Sequence, residues 1–196
     1  MQVGCQKALN FVTGENKFTF GDLLQCVPLI QTLDISKCYM KYLCAGGMPH
    51  KLPTSLVHLK ELVLCVCLAE QNGISSALCI IRSSPVLETM RFLMYDNEKL
   101  PVQQTATNFL DLEGYPDMKM DHLETLEIYD FSNLRLETEF VKLIMAKSPV
   151  LKKVLIELDD NVSVDEELKM LREMVLNPIP RASPSAKLTI VRPETS

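Results

Sequence analysis

The stretch AKSPVLKKVLI, Ala146–Ile156, packs a helix end, a stop and a strand start into eleven residues. Upstream of it, Phe140, Leu143, Ile144 and Lys147 recur at the spacing of one helix face. Pro149 has no amide proton and biases the preceding Ser148 towards extended backbone, so the helix stops there. Leu151 then opens an apolar-x-x-apolar-x-apolar segment, LKKVLI, whose end alternates at the period of a half-buried strand. The same phrase, Ser84-Pro85-Val86-Leu87, follows a second helical face made by Ile74, Leu78 and Ile81 and ending near Ser83.

Five segments of the chain fit that template: IQTLDI from Ile30, LKELVL from Leu59, LETMRF from Leu87, LETLEI from Leu123 and LKKVLI from Leu151. Their first positions are 29, 28, 36 and 28 residues apart, one period of about 28 with some eight residues inserted once. A strand and a return helix cannot bury their apolar faces alone, so such units stack. The expected fold is α/β: a leucine-rich-repeat solenoid, a short curved arc with parallel strands on the concave side and helices on the convex side. Template residues point into the core, and the residues between them point outwards.

Those outward positions are Thr32 and Asp34, Glu61 and Val63, Thr89 and Arg91, Thr125 and Glu127, and Lys153 and Leu155. They are the candidate partner-binding residues. Asp34, Glu61, Arg91, Glu127 and Lys153 offer electrostatic selection, and Val63 and Leu155 apolar anchors. For Leu155, burial against the C-terminal helix is the competing reading.

Leu100–Met120, with Pro101, Gly114 and Pro116, reads as the insertion loop within a stretch of about 96–121. Asp165–Leu176 reads as a helix whose acidic first turn, Asp165, Glu166 and Glu167, suits a helix N-terminus. Asn177–Pro184 reads as a linker. Lys187–Val191 reads as a last strand pairing with the open edge of the sheet. Phe11, Phe18, Phe20 and Leu23 are expected to cover part of the first repeat.

Composition narrows the function. The chain has 196 residues, 47% hydrophobic and 23% charged, an ordinary globular balance. Twenty basic against 25 acidic side chains, net charge −5, leave no basic surface for nucleic acid. No apolar stretch approaches the roughly 20 residues of a membrane span, and no apolar leader follows Met1. Seven cysteines, all within the first 79 residues and without a CxxC pair, read as reduced thiols of a cytoplasmic or nuclear protein.

Enzymatic signatures are missing: GxGxxG, GxxxxGK[ST], GxSxG and HExxH do not occur. Gly46-Gly47 reads as a turn. Cys38, Cys44 and His50, six residues apart each, match no common zinc spacing and lack a fourth ligand. Cys65 and Cys67 share a strand face and are expected inside. His58 and His122 both precede the first template Leu of a repeat, which points to a structural role at the strand entrance. Asp159, Asp160, Asp165, Glu166 and Glu167 lack the ligand alternation of a calcium loop and read as a solvated loop with a helix N-cap. The methionines, among them Met90, Met118, Met120, Met145, Met170 and Met174, read as core filler. No catalytic residue, metal site or cofactor is expected, and the chain is not read as an enzyme.

HLETLEIYDF from His122, ETEFVKLIMAKSPVLKKVLIEL from Glu137 and RASPSAKLTI from Arg181 together resemble the FBD region of plant F-box/FBD/LRR-repeat proteins. KLPTSLVHLKELVL from Lys51 and IIRSSPVLETM from Ile80 resemble the repeats that precede it in that family. The resemblance implies a repeat region over 1–117 and an FBD domain over 118–192. It also implies a protein-interaction module like the substrate-recognition half of an SCF-type ubiquitin-ligase receptor. No F-box pattern stands between Met1 and Phe20, so a Skp1-type adaptor is expected as a partner only with an upstream F-box, alongside an unidentified target protein. A small-ligand pocket on the same arc and a truncated product without its own role are the alternatives.

Overall fold

The computed structural model describes residues 24, 26–40, 50–68, 71–95, 115, 118–176 and 181–193. Within them are six strands and three helices: β1 Thr32–Ile35, β2 Glu61–Val66, α1 Gln71–Arg82, β3 Thr89–Met94, β4 Thr125–Phe131, α2 Arg135–Ala146, β5 Lys153–Leu158, α3 Val164–Leu176 and β6 Lys187–Val191. The six strands form one open sheet in chain order, every neighbouring pair parallel. The five template segments therefore lie side by side, and Lys187–Val191 adds a sixth strand at the edge where it was expected.

Register follows the template. Leu33, Leu62, Met90, Leu126, Val154 and Leu188 form one row across the sheet, and Ile35, Leu64, Phe92, Ile128, Ile156 and Ile190 form the next. From β1 to β5 these rows are buried, and Leu188 and Ile190 at the edge are half-buried. Phe140 of α2 stands edge-on against Phe92 at 5.0 Å between ring centroids. Ile74, Leu78 and Ile81 of α1 and Leu143 and Ile144 of α2 are buried in the same core. Met90, Met118, Met120, Met145 and Met170 fill it as expected; the side chain of Met174 lies outside the described residues.

One turn recurs before every strand. The amides of Ile30, Leu59, Leu87, Leu123, Leu151 and Ala186 each donate to the carbonyl three residues back, at 3.1 to 3.4 Å. Pro28, Pro85, Pro149 and Pro184 take the second position of four of these turns, where a fixed φ near −65° suits a β-turn. The serine of the SPVL phrase contributes as well: Ser84 donates its hydroxyl to the Ile80 carbonyl and Ser148 to that of Ile144, both at the end of a helix. His58 and His122 stand at the third position of their turns, a structural role shared by the two repeats.

Cys65 is not inside; β2 alternation turns Leu62, Leu64 and Val66 to the core and leaves Cys65 half-buried on the other face, whereas Cys67, just past the strand, is buried. The helix expected from Asp165 starts at Val164. Most of the insertion loop, the Gly46-Gly47 turn, Cys44 of the candidate zinc set and Phe11, Phe18, Phe20 and Leu23 lie outside the described residues. Among the described residues no helix is long and apolar enough to cross a membrane.

Candidate interaction surface

The helices cover one face of the sheet; the opposite face carries the residues between the template positions. Thr32, Glu61, Thr89, Thr125 and Lys153 align in a first row, continued by Lys187, and Asp34, Val63, Arg91, Glu127 and Leu155 in a second, continued by Thr189. All ten sequence-nominated residues thus share this open face. Thr32, Asp34 and Lys153 are exposed, Glu127 is buried and the others are half-buried. Leu155 lies between Glu127 and Thr189 in the second row, half-buried on the open face.

Four of the charged residues bond to one another across four strands. Arg91 donates through Nε to Glu127 at 2.6 Å and through its terminal nitrogen to Glu61 at 2.8 Å. Lys153 Nζ reaches the other Glu127 oxygen at 2.8 Å, and the Tyr129 hydroxyl sits 3.3 Å from Glu127 Oε2. Burial alone pushes the Glu127 carboxyl up, but the hydrogen bonds from Lys153 and Arg91 outweigh it and hold it below the usual range. The Glu127 bond raises the Arg91 guanidinium further still. Two acids and two bases form a chain of zero net charge, Glu61–Arg91–Glu127–Lys153, lying flat on the sheet. At the strand entrances Lys60 pairs with Glu88 and Lys152 with Glu124 across neighbouring strands, at 2.8 and 2.7 Å.

A third row completes the face: Cys65, Leu93 and Tyr129, with Glu157 and Val191 on β5 and β6. The repeat template names two outward residues per strand; continuing the alternation one step further finds this row. Leu93 is 37% exposed, a large apolar side chain at the middle of the face. Past Tyr129, β4 bulges: the register shifts between Ile128 and Phe131, and Asp130 takes φ 57°. Aspartate tolerates that left-handed conformation better than most residues. The bulge returns Phe131 to the core beside Leu158. It leaves Asp130 near Asp159 and Asp160, and burial first, then those two carboxylates, raise its carboxyl above the usual range.

Just past the ends of β1 and β3, Lys37 lies 4.1 Å above the Tyr95 ring. The Cys65 thiol is pushed up by burial, against the pull of Lys37. The acidic run after β5 has structural occupations: Asp159 accepts from the amide and side chain of Asn161, both at 2.8 Å, and Glu166 forms a reciprocal cap with Ser163. Ser-x-x-Glu is the sequence signal of that cap, one the acidic first turn alone does not convey. Among the described residues no three His, Cys, Asp or Glu stand together as metal ligands.

Residues 116–156, which include β4, α2 and the start of β5, match the FBD family model. Over those residues the chain is similar to the FBD family. The expected resemblance to plant F-box/FBD/LRR-repeat proteins holds over most of its length. An F-box/FBD/LRR-repeat protein of Arabidopsis thaliana is 29% identical over 170 residues, 85% of this chain and 39% of that relative. A probable FBD-associated F-box protein of the same plant is 24% identical over 154 residues, 79% of this chain and 35% of that protein. The chain thus spans under two fifths of the length of these relatives. No solved structure gives a significant match. The segment matching that family model supplies Glu127 and Lys153 to the charge chain, and the strands before it supply Glu61 and Arg91.

Proposed function

We propose that this chain is a protein-interaction module, a leucine-rich-repeat arc closed by an FBD segment that takes a partner protein on its open, concave sheet face. The name of the Arabidopsis relative that is 29% identical carries both terms, LRR and F-box. The substrate-recognition half of an SCF-type ubiquitin-ligase receptor is the role that fits, and a Skp1-type adaptor would engage only an F-box segment. The reading is of a binding protein rather than an enzyme.

The observation that carries it is the open face itself: six parallel strands in register present three rows of side chains of mixed chemistry, with the charges at its centre neutralised by one another. A surface so arranged is stiff, because each charged group is held by its neighbours. Interfaces gain affinity from apolar anchors in a polar surround rather than from rim charges. Leu93, Val63 and Leu155 are such anchors, flanked by the Glu61–Arg91–Glu127–Lys153 chain.

The test is affinity capture from plant extract with the wild-type chain and with Leu93→Glu, followed by direct binding of any captured protein. Loss of a specific partner with Leu93→Glu, at unchanged circular dichroism, supports the assignment. Capture of the same partners by both forms refutes it.

A further inference from the structure

Eight of the nine described side chains at the start of α3 are wholly or partly accessible; only Met170 is buried. Val164, Leu168 and Leu171 are 61%, 55% and 38% exposed. Spaced four and then three residues, they fall within an arc of about 60° at 100° per residue, centred about 130° from Met170. The other exposed large apolar side chains, Val27, Leu29, Val57, Leu134 and Val150, sit in turns or at a helix cap, and Leu93 on the open sheet face. Among the described helices α3 alone turns an apolar stripe to solvent.

We propose that α3 is a self-association surface on which a second copy of this chain packs antiparallel. A four-three apolar spacing is the seam of a helix pair. The charges beside it select the partner and its direction. Asp165 and Arg172 are seven residues apart and flank the same side of the stripe, and neither forms an ion pair with another described residue. Glu166 is engaged by Ser163, and Glu167 by Arg192 at 2.7 Å. When two copies run antiparallel over the stripe, the Asp165 end of each helix meets the Arg172 end of the other, so the attraction occurs twice about a two-fold axis. Run parallel, the two Asp165 ends lie together and the two Arg172 ends lie together. One helix face per copy is a small contact, so the dimer belongs to the weak, transient class. Its surface is separate from the open sheet face, which stays free for another partner.

Sedimentation velocity on the full chain over a wide concentration range tests this. The expected result is a mass rising from 22.1 kDa towards twice that value. Leu168→Glu, an exposed position whose substitution leaves the fold intact by circular dichroism, is expected to keep the chain monomeric. Asp165→Arg and Arg172→Asp each weaken association by about fivefold, and the double exchange restores it. A monomer at every concentration, a dimer that survives Leu168→Glu, or a double exchange that does not rescue would each overturn the proposal.

Discussion

Phe92 of β3 and Phe140 of α2 meet edge to face, 5.0 Å between centroids and 87° between ring planes, joining the sheet to the helix that follows the next strand. Both are fully buried. Phe140→Ala removes a ring that is enclosed on all sides. It is expected to destabilise the chain by about 3–5 kcal/mol. Urea unfolding followed by far-ultraviolet circular dichroism reads this directly, and a loss near 1 kcal/mol would show that α2 repacks over the gap.

Glu127 gives the chain an acid-sensitive link. Its carboxyl lies below the ordinary 4.5 because Lys153 and Arg91 bond to it, outweighing burial. A depressed folded value means that the stabilisation is complete above the unfolded value and is lost as pH falls through the folded one. Stability is therefore expected to fall as the pH drops below the ordinary carboxylate value of 4.5, and Glu127→Gln to flatten that acid limb while lowering stability at neutral pH by about 1–3 kcal/mol. Urea midpoints from pH 7 to 3 for both proteins check it; parallel curves would remove Glu127 from the account.

Ser148→Ala is expected to cost about 1–2 kcal/mol, because the Ile144 carbonyl at the end of α2 loses a buried donor 2.6 Å away. Ser84→Ala, at the equivalent place after α1, is expected to cost a similar amount through Ile80. Chemical denaturation of the two variants tests whether the repeated phrase does the same job twice. A large effect at one site and none at the other would break the equivalence.

Thiol labelling is expected to divide the cysteines. Burial pushes the Cys79 thiol up to about 11, and Cys67 is buried as well, whereas Cys26 and Cys38 are exposed. In the folded chain at pH 8, peptide mapping after brief iodoacetamide treatment is expected to find Cys26 and Cys38 modified and Cys67 and Cys79 protected until denaturant is added. Equal rates at Cys38 and Cys79 would contradict the placement of α1 in the core.

Much of the fold is legible because its information is local. Alternation within LETLEI decides which side chains of β4 face inwards, and a period of about 28 residues between such segments requires each strand to return to its neighbour's side. Pro149 and Pro85 end their helices whatever the rest of the chain does. The same alternation, with no knowledge of the packing, makes Glu61, Arg91, Glu127 and Lys153 companions on one face. It misses Leu93 and Tyr129 only because the template stops a residue pair too early.

What required the tertiary structure were the relationships between residues far apart in the chain. Whether Arg91 turns to Glu61, to Glu127 or to solvent depends on lateral spacing of strands 30 and 36 residues away, and the sheet closes both bonds at once. Cys65 and Cys67 part company because β2 ends at Val66, so that Cys65 keeps the outward side of the strand's alternation while Cys67, past its end, is buried; and Asp130 bulges where β4 must bring Phe131 back to the core. The apolar stripe of α3 has a spacing any buried helix face would share. Only packing, with Met170 turned inwards, determines that Val164, Leu168 and Leu171 are left to water. Periodicity specifies which residues travel together on a face; the docking of that face against its neighbours specifies whether they meet protein or solvent.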